Sequence, residues 1–171
     1  MLTIESPNLI KVKAELSDIA AMENAIRDKD AVLCALGGRG LFSRDTTCSV
    51  GTRSIIAAMQ KENVKRLIVC SSYGVGPGNR ALLPWAVRAM LYHPLADKDD
   101  QEADILKSGL DYTIVRPPRL KDDAAKGEYH VQEEGKLPVN EIARADVATF
   151  MLSTLYEKTW IQKIAHICWK Q

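Results

Sequence analysis

The chain has 171 residues, a mass of 19.0 kDa and nearly balanced charge, with 23 basic against 22 acidic side chains. That length holds one domain able to bury roughly two-thirds of the surface its unfolded form exposes, and a net charge of +1 offers no field for nucleic acid or an anionic membrane. No apolar run reaches a membrane span, the first residues carry acid early and lack the apolar centre of a secretory leader, and four scattered cysteines without a C-x-x-C pair read as reduced thiols of the cytoplasm.

Short apolar runs alternate with helical spacing, the pattern of β-α repeats feeding a parallel sheet. Leu9 to Ala14 is predicted as a first strand, followed by a helix near Asp18 to Arg27 with Ile19, Met22 and Ile26 on one face and Ser17 or Asp18 as its cap. Ala31 to Leu36, a continuous apolar run between Asp30 and Gly37, is a buried parallel strand. Thr46 to Glu62 is a helix whose packing stripe is Thr52, Ile55, Ile56 and Met59. Arg66 to Cys70 is another buried strand and ends in Ser71-Ser72-Tyr73-Gly74. Gly74 to Pro94 is rich in Gly and Pro yet contains Trp85, Met90 and Leu91, and reads as a loop and short helix over the sheet edge. Asp97 to Lys107 is a helix closed by Ser108-Gly109, where glycine accepts the left-handed conformation of a helix end. Asp111 to Arg116 is a strand stopped by Pro117-Pro118, since proline cannot donate to the ladder. Lys121 to Pro138 is irregular apart from a short strand at Tyr129 to Gln132. Arg144 to Tyr156 is a helix facing inward with Val147, Phe150, Met151 and Leu155, and Ile164 to Cys168 is a last edge strand.

In open α/β sheets ligands lie outside the carboxyl ends of the strands. After the Ala31 strand comes Leu36-Gly37-Gly38-Arg39-Gly40, permissive enough for backbone to approach a phosphate or ribose, with one guanidinium to pair with it. A flexible turn with a solvated arginine accounts for the same residues. Ser71 and Ser72 place hydroxyls at the next strand end, where serines also serve as turn formers. Pro117-Pro118-Arg119 makes a rigid wall with one cation, or simply terminates a strand. Three such signals at equivalent strand ends weigh more together than singly. Elsewhere, His93, His130 and His166 lack ligand spacing, so no metal site is expected. Lys121-Asp122-Asp123 and Asp97-Lys98-Asp99-Asp100 mix signs as solvated faces do. Trp85, Trp160 and Trp169 read as packing residues before a flavin-stacking surface. Asp146 stands where a capping-box acid would, but Ala143 replaces the Ser or Thr that completes the box, at a cost of about 1 kcal/mol.

The segments DAVLCALG, SVGTRSIIAAM, VKRLIVCSSYGVG, LADKDDQEADILKSGLDYTIVRPPRL and IARADVATFML resemble the atypical short-chain dehydrogenase/reductase superfamily. Within it they are most similar to the NAD(P)H-binding, NmrA-like branch, nearest its biliverdin-IXβ reductase/flavin reductase family. The resemblance covers about Leu9 to the end and implies a Rossmann-like, doubly wound parallel sheet. Such a domain opens with a strand, a spaced-glycine turn and a helix; the first glycine here is Gly37. The expectation is therefore a single NAD(P)-binding domain over 1–171, incomplete at its front. It would lack the first βαβ unit and the sheet's central strand, bind NADP (or NAD) weakly, and be partly unfolded, aggregated or edge-paired into a homodimer.

The resemblance also implies roles, position by position. Glu15 and Leu16 match an acidic-aliphatic pair near the adenine, Leu36, Gly37, Gly38 and Arg39 the loop along ribose and pyrophosphate, and Ser49 a serine near the same cofactor. Cys70, Ser71 and Ser72 match the strand end beneath the nicotinamide, and Pro117, Pro118, Arg119 and Leu120 the wall over it. Ser72, Arg119 and Lys98 are the implied catalytic set, with Ser72 orienting the nicotinamide or acceptor and Arg119 holding acceptor charge. Lys98 with Glu102 matches the K-x-x-x-E of the branch, whereas the superfamily's Tyr-x-x-x-Lys is broken by Pro94. Histidine follows the two prolines in the biliverdin-IXβ reductases, and Arg119 stands there in this chain. The implied activity is hydride transfer from NAD(P)H to a small-molecule acceptor such as flavin or a linear tetrapyrrole. The rival is a non-catalytic truncated paralogue or regulatory dinucleotide-fold binder.

Overall fold

The structure is a computed structural model that describes residues 4–38, 40 and 45–170. Its elements in order are α1 (Ile19–Ile26), β1 (Ala31–Cys34), α2 (Thr47–Lys61), β2 (Arg66–Cys70), α3 (Pro77–Arg80), α4 (Trp85–Met90), α5 (Tyr92–Lys107), β3 (Asp111–Arg116), β4 (Arg119–Lys121), β5 (Tyr129–Gln132), β6 (Glu141–Ala143), α6 (Arg144–Ser153), a 3-10 turn (Lys158–Trp160) and β7 (Lys163–Trp169). The main sheet runs β1-β2-β3-β7-β5; the first four strands are parallel, and β5 joins β7 antiparallel. β4 and β6 form a separate parallel pair.

Alternation along the central strands divides the core in two. Leu67, Val69 and Ile114 face Ile55, Met59 and Ile105 of α2 and α5, while Ile68 and Val115 face Val147, Phe150 and Met151 of α6. At the amino end of the sheet the Arg66 guanidinium donates to the Asp111 and Thr154 carbonyls and to Thr113 Oγ1. It thereby clamps two strands to the carboxyl end of α6, where carbonyls lack helical partners.

Several boundaries depart from the sequence reading. Leu9 to Ala14 forms no strand: it joins no ladder among the described residues, and Ile10 is 83% exposed. An extended segment without a ladder has nothing to hold it in register. β1 stops at Cys34 rather than Leu36 and, among the described residues, pairs only with β2. Ile19 of the expected α1 stripe is exposed, and only Ile26 of that helix is buried. α5 starts five residues earlier than predicted, because Pro94 sits at its third position, where no amide hydrogen bond is required. β7 is an interior strand, buried from Ala165 to Trp169, since β5 covers the side expected to be open. The β4–β6 pair, for which no strand was expected, brackets the stretch Lys121 to Pro138 that was read as irregular.

Asp146 has a different task from the one its position suggested. It is fully buried and accepts from the Lys126 and Gly127 amides and from Trp169 Nε1, at 3.0, 2.9 and 2.8 Å. Lys126 Nζ in turn lies 3.5 Å from the centre of the Trp169 ring, so the loop before β5 is fastened to both α6 and β7. Burial pushes the Asp146 carboxyl up, but these donors outweigh it and hold it below its ordinary value.

Asp146→Ala orphans three donors and is expected to lower stability by about 3 kcal/mol, read by urea denaturation. Because the folded carboxyl titrates below the unfolded one, its contribution is complete above about pH 4 and fades as pH falls through the folded value. The stability curves of the native protein and Asp146→Asn should accordingly converge in acid.

Candidate functional site

The loops that leave β1, β2 and β3 meet at the carboxyl end of the sheet, and one face of α5 holds them there. Asp97 is buried and accepts from the amides of Cys48 and Ser49 at 2.8 and 3.0 Å, capping α2 from outside its own sequence. Lys98 Nζ donates to the carbonyls of Leu36 and Cys70 at 3.3 and 3.0 Å and to Gln101 Oε1 at 3.3 Å. Asp99 accepts from the Gly76 amide and from Arg80. Gln101 donates to Thr52 Oγ1 at 2.8 Å, and Glu102 accepts from Ser71 Oγ. The sequence reading of 97–100 as a solvated mixed-charge face is thus corrected; of these four only Asp100 is exposed. Asp97, Lys98 and Asp99 each face specific backbone groups, where they are stabilised by polar partners.

Ser71 and Tyr73 are buried, and Ser72 between them is partly open. The Ser71 and Tyr73 amides continue the ladder past β2, donating to Val115 and Pro117 carbonyls at 2.7 and 2.8 Å. Pro117 is buried, Pro118 and Leu120 are partly open, and Arg119 is exposed. Leu36 to Gly38 lies at the mouth of β1: nothing stands within 4 Å of a side chain added at Gly37, whereas Gly38 has the Asp45 carboxylate at 3.4 Å. Arg39 lies outside the described residues. Ser49 is fully buried with its hydroxyl turned to the Thr46 carbonyl, Glu15 is exposed, and Leu16 packs with Leu36 over Gly51. The structure therefore brings Leu36, Gly37, Cys70, Ser72, Pro117 and Pro118 to one sheet end and turns the Ser49 hydroxyl inward.

Behind this surface is a charged network that sequence reasoning missed, apart from the K-x-x-x-E spacing that marks Glu102. Arg116, at the end of β3, holds Glu102 with two nitrogens, Nε at 3.0 Å, and both side chains are buried. Its third nitrogen reaches His166 Nε2 at 3.3 Å, and the Tyr73 ring meets the imidazole edge-on at 5.5 Å. Since arginine only donates, Nε2 is the acceptor. Burial and then Arg116 push the imidazole down to about 4, so His166 is neutral at pH 7. Burial raises the Cys34 and Cys70 thiols and takes Cys48 to about 11, leaving them protonated and unsuited to nucleophilic chemistry. Among the described residues no group of three His, Cys, Asp or Glu side chains is arranged to hold a metal, and no helix is long and apolar enough to cross a membrane. Trp169 is buried, Trp160 packs edge-on against Phe150, and Trp85 is 81% exposed on α4.

Residues 2–158 match the NAD(P)H-binding family. The chain is 31% identical over 146 residues to an uncharacterized chloroplastic protein of Arabidopsis thaliana, covering 82% of this chain and spanning about half, 52%, of that relative. Among solved structures it is similar to a Rossmann-fold NAD(P)-binding family protein from Shigella flexneri, with 25% identity, TM-score 0.70 and coverage of 92% and 69% of the two chains. It also shares its fold with the anaerobilin reductase ChuY of Escherichia coli O157:H7, at 22% identity and TM-score 0.80, covering 92% and 74%.

Asp97→Ala leaves the Cys48 and Ser49 amides buried without their acceptor and should cost about 2 kcal/mol. Hydrogen exchange should show the loss concentrated at residues 46–50, with α5 itself still protected.

Proposed function

We propose that this chain, which belongs to the NAD(P)H-binding family, is an oxidoreductase that uses NADPH or NADH to reduce a flavin or biliverdin-type acceptor. The carrying observation is the meeting of Leu36, Gly37, Ser72 and the Pro117-Pro118 wall at the carboxyl end of a parallel sheet, the place where such folds take their ligands. The ChuY structure, whose name describes an anaerobilin reductase, supports a tetrapyrrole as the acceptor class.

The residues present fit the two ends of the cofactor unequally. On the nicotinamide side Ser72 is partly open, the Pro117-Pro118 wall is rigid, and Gly37 leaves its backbone accessible. On the phosphate side the first amides of α2 are already taken by Asp45 and Asp97, and the Asp45 carboxylate stands beside Gly38. Backbone donors at a free helix start are what a pyrophosphate requires. We therefore assign Leu36, Gly37 and Gly38 to the ribose, Glu15 and Leu16 to the adenine side, and weak affinity to this 171-residue chain alone. The bound dihydronicotinamide supplies the hydride, and solvent supplies the proton. Ser72 orients the reacting pair and Arg119, exposed at the rim, receives acidic groups of the acceptor. Lys98 acts by holding the Leu36 and Cys70 carbonyls in place. The crowded phosphate side equally favours a second reading, a non-catalytic dinucleotide-fold binder. The four free thiols suit a reducing compartment such as the cytoplasm.

At millimolar NADPH the chain should reduce FMN or biliverdin, with Ser72→Ala lowering kcat about tenfold and Arg119→Ala mainly raising KM for the acidic acceptor. Affinity for NADPH by fluorescence titration should be weaker than micromolar. A chain that binds NADPH yet reduces neither acceptor supports the binder instead.

The outer edge of β1 carries Leu33, 40% exposed, and no strand pairs with it among the described residues. We place a second copy of the chain there, edge to edge. Sedimentation velocity should show a dimer that Leu33→Lys converts to monomer; a wild-type monomer would remove this assignment.

A further inference from the structure

The turn that presents Ser72 is built unusually for a strand-end loop. Of residues 71–75, Ser71, Tyr73, Gly74 and Val75 are buried and Ser72 alone is partly open. The anchors on either side of it lead to the same buried charges. Ser71 Oγ donates to Glu102 Oε1, the oxygen that also receives Arg116 Nε at 3.0 Å. Tyr73 meets His166 edge-on, and His166 accepts from Arg116. α5, β3 and β7 thus each supply one member of a chain that grips the turn on both sides of Ser72, without any of the three reaching the surface: Glu102, Arg116 and His166 are all at least nine-tenths buried.

A buried ion pair is an expensive way to hold a fold together, since apolar residues of similar volume often serve as well or better. What the pair provides that apolar packing does not is direction. A two-pronged guanidinium fixes the plane of the carboxylate, and the carboxylate then fixes where the Ser71 hydroxyl points. We propose that Glu102, Arg116 and His166 form a positioning unit that sets the Ser71-Ser72-Tyr73 turn, and hence the Ser72 hydroxyl, for hydride transfer. The inference rests on the reductase reading for its chemistry, although the order of the turn can be measured without it.

The test separates holding the fold from holding the turn. Glu102→Leu combined with Arg116→Met removes both charges together and leaves neither one buried alone, so the double variant should keep a melting temperature close to the native one. If the unit positions the turn, amide exchange at 71–75 should quicken tenfold or more, while β2 and β3 stay within twofold. In steady-state flavin reduction with saturating NADPH, kcat should fall tenfold or more, with KM for flavin within threefold. A purely structural pair predicts native exchange and native kcat in this stable variant, and either result overturns the proposal. Should the double variant fail to fold, Ser71→Ala, which cuts only the link from carboxylate to turn, is read by the same two measurements with the same criteria. If the native protein proves inactive with both flavin and biliverdin, the reductase reading falls, and exchange at 71–75 still decides whether the unit positions the turn.

Discussion

The carboxyl end of this sheet is held by side chains reaching sideways from α5. Parallel strands end with carbonyls and amides pointing into loops, and loops are the part of an α/β fold with the least cohesion of their own. Within six residues of α5, Asp97, Lys98, Asp99, Gln101 and Glu102 reach the start of α2, the ends of β1 and β2, the loop at Gly76, Thr52 and Ser71. Each contact is polar and directional, so the end of the sheet is fixed in orientation as well as in place. The site depends on a helix that lies beside the strand ends and holds them through its side chains.

This arrangement explains how the site tolerates so much buried charge. Glu102 and Arg116 satisfy one another, His166 is kept neutral, and Asp97 and Asp146 are surrounded by amide and indole donors. A carboxylate among fixed N–H dipoles is solvated by the protein itself, which offsets the loss of water. The two aspartates do the same work from different helices, one capping α2 from α5 and the other fastening the loop before β5 from α6.

The central fold was legible because its signals were local. Arg66–Cys70, Asp111–Arg116 and the α2 stripe of Thr52, Ile55, Ile56 and Met59 are set by apolar runs bounded by turn residues, and they stand as read. What failed needed knowledge of neighbours. Leu9 to Ala14 has strand composition but no ladder, and Ile164 to Cys168 looked like an edge only because β5, a four-residue strand in an irregular stretch, gave little sign that it would pair there. At the site, the serines, prolines and glycines at strand ends were readable from position alone. The roles of Asp97, Glu102, Arg116 and His166 were hidden because polar contacts between residues 14 to 50 apart leave no periodic trace, and a run such as Asp97-Lys98-Asp99-Asp100 reads as solvated until its partners are known.

Gly51 illustrates a cost that this packing imposes on any redesign. Replacing an interior helical glycine by alanine ordinarily gains roughly 1 kcal/mol. Here the added methyl would stand 2.5 Å from Leu36 Cδ1 and 3.2 Å from Leu16 Cδ1, the two side chains seated over that turn of α2. The helix would be strengthened while the ends of the Leu36 and Leu16 side chains had to move aside. A sequence optimised for helix content alone would accept the change and disturb the seat that Leu16 and Leu36 share on α2.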